Sequence, residues 1–416
     1  MAFFRKKSSR LSKDAESLLN AAKKVENYRG DLFSEDEKKR LHSEVAALKS
    51  ASTSEEFETA SEKLKETLKK LGGHVFPQKL IPEWVELIIV AAVLAGGIRG
   101  FFFQFFKIPT NSMFPTYNGM TSEVYDVAIN PAEKWFERIF NSASFYEVKA
   151  PVSGEVSVCI SRVERTGNSD VFEVYVGNTP VRINCPRDFS ADSVFLERFF
   201  PEYAKNRTAS PRENWLNVIS DFGKSGKSFK NLRGETCLRT GVYVKAGESF
   251  LKFKIFGGDM VVVNRFIYNF KKPEIGDPFV FRTHNIPGLN RPDGKPSELY
   301  YIKRLAGNPG DTLWVKDKKL YRNGNIIEGA EAFDKNNNCS FVESYYGYLP
   351  RSGGRRIHAK SLEKPFKVPE DFYYALGDNS GNSFDSRGWG CVPAEDTVGR
   401  ASFILYPFSK RWGIAK

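Results

Sequence analysis

The stretch YYIKRLAGNPGDTLWV, residues 300–315, decides the fold class. Two short apolar runs, residues 300–302 and 312–315, flank a segment rich in Gly, Asn, Pro and Asp. Aromatic and β-branched runs bounded by such residues predict β-strands. Comparable runs occur at residues 261–263, 279–281 and 403–405. The pattern predicts a mainly β domain with long connections between its strands.

Lys303 directly follows the first of these runs. Side chains alternate along a strand, so its amine lies at a position that can be buried. Burial lowers the pKa of an amine because desolvation penalises the ammonium form, and a neutral amine can act as a general base toward a serine hydroxyl. The alternative is a lysine on a strand face whose amine reaches solvent.

Residues 84–106 form a long apolar segment. Only three of them are strongly polar: Glu86, Arg99 and Gln104. A transmembrane helix needs about 20 mostly apolar residues, so the segment predicts a membrane anchor with the phenylalanine cluster of residues 101–106 at the far interface. It is not a cleavable signal because it starts beyond residue 80. The alternative is a buried helix of a soluble protein.

Basic residues are distributed unevenly around this segment. Its N-terminal flank is rich in lysine, whereas Lys107 is the first base that follows it. The lysines of the flank are Lys63, Lys65, Lys69, Lys70 and Lys79. Basic residues stay on the cytoplasmic side of a membrane, so residues 1–79 are predicted to be cytoplasmic and the chain after residue 107 to be external.

Residues 12–73 predict helices. The patterns Ser34-x-x-Glu37 and Thr53-x-x-Glu56 are capping boxes, which mark helix starts. An apolar stripe at helical spacing follows, and it predicts packing within a helical hairpin or bundle. The stripe consists of Phe57, Ala60, Leu64, Leu68 and Leu71, and Gly72 and Gly73 end it.

Length, charge and cysteine content limit the number of domains, the partners and the metal chemistry expected of this protein. The 416 residues allow two or three folded units, and 62 basic against 50 acidic residues give a net charge of +12. Residues 1–83 hold 17 basic and 14 acidic residues, so most of the excess lies in the part predicted to be external and suits anionic lipid better than nucleic acid. Five cysteines without C-x-x-C spacing and four histidines predict no metal site, while one or two disulfides remain open.

Three polar segments carry the candidate chemistry. They are IPTNSMFPT at residues 108–116, YIKRLAGNPGD at 301–311 and GDNSGNSFDSRGWGCVP at 377–393. Alone, the first could be an ordinary turn and the last a polar loop. In this order behind an anchor, they resemble type I signal peptidase, the leader peptidase family of Ser-Lys proteases. The resemblance covers the anchor and residues 106–116, 258–265, 276–324 and 374–407.

The resemblance implies a role for each matching residue. Ser112 would be the nucleophile and Lys303 the general base. The Thr110 side chain and the Ser112 backbone amide would form the oxyanion hole. The remaining positions follow from the same match: Ser383 would orient the lysine, Asp385 and Arg387 would form a charged pair that shapes the site, and Phe106, Ile108, Met113, Tyr117, Tyr301 and Ile302 would line the substrate groove.

The resemblance also implies an organisation of the chain. A signal-peptidase-like β fold would comprise residues 107–141 and 257–416, behind a helical region at 1–79 and the anchor at 84–106. Residues 142–256 would be an insertion, in which 154–160 and 172–176 predict strands and 193–205 a helix. The chain departs from the commonest family pattern at Asn111, where Gly is usual, and at Ser380-Gly381, where Arg-Asp is frequent.

The implied activity is that of a membrane-anchored serine endopeptidase that removes signal peptides from exported preproteins. It would be a single-pass protein of the cytoplasmic (inner) membrane with its catalytic domain on the external or periplasmic face. Its partners would be membrane lipid and preproteins with small residues before the cut, with no metal, cofactor or nucleic acid. One alternative is a self-cleaving repressor-type protease, although no helix-turn-helix pattern is present. The other is a non-catalytic envelope protein.

Overall fold

The computed structural model describes residues 2–76, 80–160, 164–167, 169–206, 209–231, 233–352 and 361–414. The chain divides into two compact units, Met1–Ile98 and Arg99–Lys416. Lys79, one of the lysines in the predicted charge asymmetry, lies outside the described residues. The predicted class, mainly β with N-terminal helices and one long apolar helix, is confirmed.

The first unit begins with three helices: α1 Ala2–Arg29, α2 Glu35–Ser50 and α3 Ser54–Leu71. Both predicted capping boxes are present, with Ser34 and Thr53 as the N-caps of α2 and α3. The apolar stripe packs inward: Leu64 and Leu68 are fully buried in one cluster with residues of α1 and α2. Of the two predicted arrangements, a helical hairpin or a bundle, the structure has a bundle of three packed helices.

The apolar segment is helix α4, Leu80–Gly97, continued by a π-helical turn over Ile98–Phe102. Trp84–Phe102 is long and apolar enough to cross a membrane, and none of it is buried within the structure. The alternative of a buried core helix is thus not supported. The predicted end at residue 106 is wrong, because Phe103–Lys107 pairs as an antiparallel strand with Met260–Asn264.

The second unit contains twenty-one strands among the described residues. They are β1 Phe103–Lys107, β2 Thr121–Val124, β3 Ala143–Lys149, β4 Gly154–Cys159, β5 Glu164–Thr166, β6 Ser169–Val176, β7 Thr179–Pro186, β8 Ser228–Lys230, β9 Thr236–Val244, β10 Ser249–Phe256, β11 Met260–Asn264, β12 Pro278–Arg282, β13 Tyr300–Gly307, β14 Thr312–Lys316, β15 Lys319–Arg322, β16 Asn325–Ile326, β17 Phe366–Lys367, β18 Phe372–Leu376, β19 Val392–Pro393, β20 Thr397–Tyr406 and β21 Gly413–Ile414. Its helices are α5 Pro131–Phe140, α6 Asp192–Phe199, α7 Pro201–Ala204, α8 Pro211–Lys224, α9 Glu331–Asn337 and α10 Ser386–Trp389.

The central sheet has the order β1-β11-β20-β12-β13-β18-β19, with β21 added beside β20. The strands predicted at residues 261–263, 279–281, 300–302 and 403–405 all belong to it, and the strand predicted at 312–315 is β14 of a smaller sheet, β16-β15-β14-β17. Val261, Phe279 and Leu305, on three strands of this sheet, are fully buried. The sheet brings β1, β13 and the loop after β18 into one part of the molecule.

The predicted insertion at 142–256 forms its own layered structure. A six-stranded sheet, β5-β6-β4-β9-β8 with β7 beside β6, packs with α6 and α8 around Val156, Val174 and Leu238. A second sheet, β2-β10-β3, joins the insertion to residues 121–124, which precede the predicted boundary. The strands predicted at 154–160 and 172–176 correspond to β4 and β6.

The prediction of one continuous helix over residues 193–205 is wrong, because this segment forms two helices. Helix α6 ends at Phe199, and Phe200 leaves the helical conformation with φ −137° and ψ 55° before α7 begins at Pro201. Proline lacks the amide proton that would continue α6, but it is favoured at a helix start.

One disulfide is present in the described chain. It joins Cys159 and Cys237, which lie opposite each other on β4 and β9. Cys185 and Cys339 are free thiols.

Candidate active site

Ser112 lies in a short helical turn, Asn111–Met113, that follows β1. The loop after β18 holds this turn from one side: the Asn379 amide N–H donates to the Ser112 carbonyl at 3.1 Å, and Asn379 Nδ2 donates to the Asn111 carbonyl at 3.0 Å. These bonds fix the backbone on both sides of the candidate nucleophile.

Asn111, a departure from the commonest family pattern, has a structural role. Its Nδ2 donates to the Met120 carbonyl at 2.7 Å, and its Oδ1 accepts the Gly119 amide at 2.9 Å. Gly119 is required at this point because a Cβ atom would overlap the Thr110 carbonyl group. The carboxamide therefore closes the loop that carries Ser112.

Lys303 lies on β13, opposite Phe279 of β12, and only 5% of it is exposed. Its Nζ is 2.7 Å from Ser112 Oγ and 3.1 Å from the Ile302 carbonyl oxygen. Desolvation lowers the pKa of Lys303 to about 8, although the carboxylates of Asp385 and Asp378 oppose that shift. The amine can therefore be neutral near physiological pH and can take a proton from the serine hydroxyl.

The structure also brings Thr110 and Ser383 to the same cavity. Thr110 is exposed and extended, directly before the serine turn, and its hydroxyl makes no capping bond to that turn. Ser383 is buried, and within the described chain its Oγ has no hydrogen-bond partner, Lys303 included. Gly377 allows this close packing, because a Cβ there would overlap both Ser383 Oγ and the Ser112 carbonyl oxygen. The predicted roles of the two hydroxyls stay predictions.

Asp385 and Arg387 form a fully buried ion pair. Arg387 Nε donates to Asp385 Oδ1 at 2.8 Å and Arg387 Nη2 donates to Oδ2 at 2.6 Å. Asp385 also accepts the Gly377 amide at 3.1 Å, and Arg387 donates to Ser380 Oγ at 2.7 Å. This pair cross-links the loop that carries Ser383, and Ser380, the second departure from the family pattern, takes part in it.

A second buried ion pair, between Arg304 and Asp378, was not predicted from the sequence. Arg304 donates to both carboxylate oxygens of Asp378, at 2.7 and 2.6 Å, and to the Gly276 carbonyl at 2.7 Å. Both residues are almost fully buried. Arg304 follows Lys303 on β13 and Asp378 precedes Asn379, so the pair joins the two segments that bear the lysine and hold the serine turn. The adjacent Lys-Arg and Asp-Asn in the two motifs were the available signal.

The cavity above Ser112 and Lys303 has a volume of about 820 Å³. Four of the six predicted groove residues line it: Phe106, Ile108, Tyr301 and Ile302. The prediction is wrong for Met113, at the end of the serine turn, and for Tyr117, because both are fully buried in the core. Tyr117 Oη donates to the Ala401 carbonyl at 3.0 Å, so its side chain points into the sheet.

Four further residues of the cavity wall come from the predicted insertion. They are Arg187, Asp188, Ser190 and Arg212. The sequence carried no recognisable motif for them. Among the residues that the structure describes, no group of three His, Cys, Asp or Glu side chains could hold a metal ion.

A serine hydroxyl beside a buried amine, at the base of an open cavity on a β-sheet, is an arrangement suited to nucleophilic catalysis by a serine hydrolase. A family model described as signal peptidase, peptidase S26, matches residues 244–406. Signal peptidase I P of Bacillus subtilis subsp. natto is 32% identical over 169 residues, which cover 40% of this chain and 78% of that protein. Probable signal peptidase I-2 of Synechocystis is 27% identical over 212 residues, 51% of this chain and 82% of that protein.

Thylakoidal processing peptidase 1 of Arabidopsis thaliana is 34% identical over 155 residues, and the match spans 37% of this chain and only 38% of that protein. The crystal structure of a signal peptidase I from Enterococcus faecalis matches with 25% identity and a TM-score of 0.22, covering 31% of this chain and 97% of that one. The chain belongs to the type I signal peptidase family. This membership supports a serine endopeptidase activity directed at signal peptides.

Proposed function

We propose that this protein is a membrane-anchored endopeptidase that removes N-terminal signal peptides from exported preproteins, with Ser112 and Lys303 as a catalytic dyad. One observation carries the proposal: 2.7 Å separates Ser112 Oγ from the amine of a lysine that is 95% buried. Burial gives the amine the lowered pKa that a general base requires.

In the proposed reaction, Ser112 Oγ attacks the scissile carbonyl carbon while Lys303 Nζ accepts the hydroxyl proton. The Ser112 amide and the Thr110 hydroxyl stabilise the oxyanion that forms. The peptide bond then breaks as Lys303 returns the proton to the leaving amine, which leaves an ester of Ser112. A water molecule gives a proton to Lys303 and attacks this ester, and Lys303 returns that proton to Ser112 Oγ as the acid product leaves.

The cavity supports selection of small side chains. Aromatic and branched side chains of Phe106, Tyr301 and Ile302 line it beside the dyad, so they restrict the room near the scissile bond. We propose that residues one and three positions before the cut are small, as in Ala-x-Ala.

The proposed location is the cytoplasmic membrane, with helix α4 and its π-helical continuation as the single anchor and the second unit on the external face. The lysine-rich flank before the anchor supports this orientation. The Cys159–Cys237 disulfide supports it independently, because disulfides persist in oxidising compartments.

The test uses the full-length protein in detergent and a preprotein with an Ala-x-Ala site, with the cut position read by mass spectrometry. Wild type should cut after the second Ala, and Ser112→Ala and Lys303→Met should each abolish the cleavage, because the two side chains act as one unit. Ser402→Ala and Lys316→Met are matched controls at a partly buried serine and an exposed strand lysine, and both should cut normally. Substantial turnover by Lys303→Met would refute the dyad.

A further inference from the structure

The predicted insertion contributes directly to the active-site cavity. Arg187, Asp188, Ser190 and Arg212 line the same space as Ser112. A substrate chain bound in this cavity can therefore contact side chains from the β7–α6 turn and from the start of α8.

The β7–α6 turn is held rigidly at its base. The Asp188 amide donates at 2.8 Å to Oδ2 of Asp170, a buried residue of β6, and Asp188 itself adopts a left-handed conformation with φ 66°. Phe189, the next residue, is 5% exposed and packs edge-on against Phe172. Arg187 thus extends from a turn that is tied to the sheet of the insertion.

The start of α8 contacts the catalytic loop. Ser210 and Glu213 form a complete capping box, and Ser210 is almost fully buried. Arg212 Nη1 lies 3.5 Å from Oδ1 of Asn382, the residue before Ser383. The position of Arg212 is therefore coupled to the loop that closes the site.

The charged side chains of this cavity are mostly basic. Lys107, Arg187 and Arg212 line it together with Lys303, whose amine the reaction needs in the neutral form, and Asp188 is the acidic side chain among the described lining residues. Asp188 and Arg212 have partners within the protein. Arg187 is exposed and has no hydrogen bond or ion pair to any residue that the structure describes. A guanidinium in that situation is available to a carboxylate of a bound chain.

We propose that the insertion is a specificity element, in which Arg187 binds an acidic side chain of the preprotein close to the cleavage site and Arg212 adds positive charge to the same cavity wall. The inference rests on the proposed function for the identity of the ligand as a preprotein segment. The aliphatic and aromatic walls near the dyad would select residue size, and the guanidinium groups of the insertion would select charge at a neighbouring position.

The test is a peptide scan with the full-length protein in detergent. Peptides with one Ala-x-Ala site carry Glu, Gln or Lys at a single position, moved from five residues before the cut to three after it. We expect Glu to exceed Gln in kcat/KM at one position or two adjacent ones by about two- to tenfold, the range expected for one or two partly exposed ion pairs. The preference should shrink as salt rises.

The double variant Arg187→Gln/Arg212→Gln should lose this Glu preference, so its Glu-to-Gln ratio in kcat/KM should fall to about one. The control Arg239→Gln removes an exposed guanidinium from the same insertion, outside the cavity wall, and should keep the preference. An unchanged Glu-to-Gln ratio in the double variant would overturn the inference, as would a wild-type preference for Lys.

Binding separates this inference from the proposed function. The same peptides, with a fluorescent label, are titrated against Ser112→Ala protein with and without the two arginine substitutions. Glu-selective binding that is lost in the double arginine variant, without cleavage by wild type, would refute the proposed function and support the inference. Cleavage without any charge preference in rate or binding would refute the inference alone.

Discussion

At the scale of single residues, Lys303 is held in a state that costs stability and provides reactivity. Lys303 is 95% buried with its amine beside Ser112, and desolvation moves the pKa of that amine from 10.5 to about 8. The reaction needs the neutral amine, and burial provides it closer to physiological pH than an exposed lysine could.

The first prediction concerns pH. The rate constant kcat/KM should rise about tenfold per pH unit below pH 8 and level off above it, because only the neutral amine accepts the serine proton. Initial rates on an Ala-x-Ala peptide between pH 6 and 10 measure this profile. A limb that keeps rising toward about pH 10.4, the value of a free lysine, would contradict a buried base.

The second prediction concerns stability at the same residue. The unfolded chain keeps Lys303 protonated up to about pH 10.4, whereas the folded protein releases that proton near pH 8. The unfolded state therefore binds more protons between these pH values, and stability rises with pH across this interval. At pH 7, Lys303→Met should raise the free energy of unfolding by up to about 3 kcal/mol.

Urea unfolding in detergent measures the second prediction. Lys316→Met, at an exposed lysine of β14, is the control and should change stability by no more than about 0.5 kcal/mol. A loss of stability in Lys303→Met would mean that the buried amine stabilises the fold.

The third prediction concerns Thr110, which lines the cavity beside Ser112. Thr110→Val keeps the shape and deletes the donor, so kcat should fall by about 10²- to 10³-fold with little change in KM. Thr110→Ser keeps the donor and should retain most of the activity. Equal kcat for Thr110→Val and wild type in peptide kinetics would assign the second oxyanion donor to another group.

At the scale of structural elements, two buried ion pairs join strands and loops that are distant in sequence. Arg304 and Asp378 link β13 to the loop after β18, and Asp385 and Arg387 brace that loop internally. A buried ion pair need not stabilise a fold more than apolar residues would, but the loss of one partner leaves an uncompensated charge.

The fourth prediction follows for Asp378→Asn. It should destabilise the protein by about 3–5 kcal/mol, because the Arg304 guanidinium remains buried without its counter-ion. Glu363→Gln breaks the exposed pair with Arg351 and should cost less than about 1 kcal/mol. Urea unfolding followed by near-ultraviolet circular dichroism compares the two, and equal losses would show that the buried pair has no special structural role.

At the scale of the whole molecule, the apolar segment Trp84–Phe102 lies along the chain between the three N-terminal helices and the mainly β part. The fifth prediction is their location on opposite sides of a membrane. In a chain whose free cysteines are replaced by serine, Val342→Cys should react with an impermeant thiol reagent in intact cells, since Val342 is 93% exposed.

Lys39→Cys, at an exposed position of α2, should react only after detergent is added. Labelling of Lys39→Cys in intact cells would contradict the proposed orientation, because it would place α2 on the external side. Failure of Val342→Cys to react in intact cells would contradict it as well.

Local sequence patterns predicted much of the fold. The strand segments at 261–263, 279–281 and 403–405 and both capping boxes were predictable because they depend on residues close in the chain. Ser112 and Lys303 were predictable as a pair only through their motifs, and their 2.7 Å separation depends on sheet pairing.

Tertiary structure decided the rest. The run Phe103–Lys107 is apolar enough to end a membrane helix, but it forms a strand because Met260–Asn264 satisfies its backbone hydrogen bonds. Met113 and Tyr117, predicted to line the groove, likewise lie in the core. Arg187 and Arg212 line the cavity of Ser112 because the sheet of the insertion and α8 bring them there, and no local pattern of residues encodes an arrangement made across such a distance in the chain.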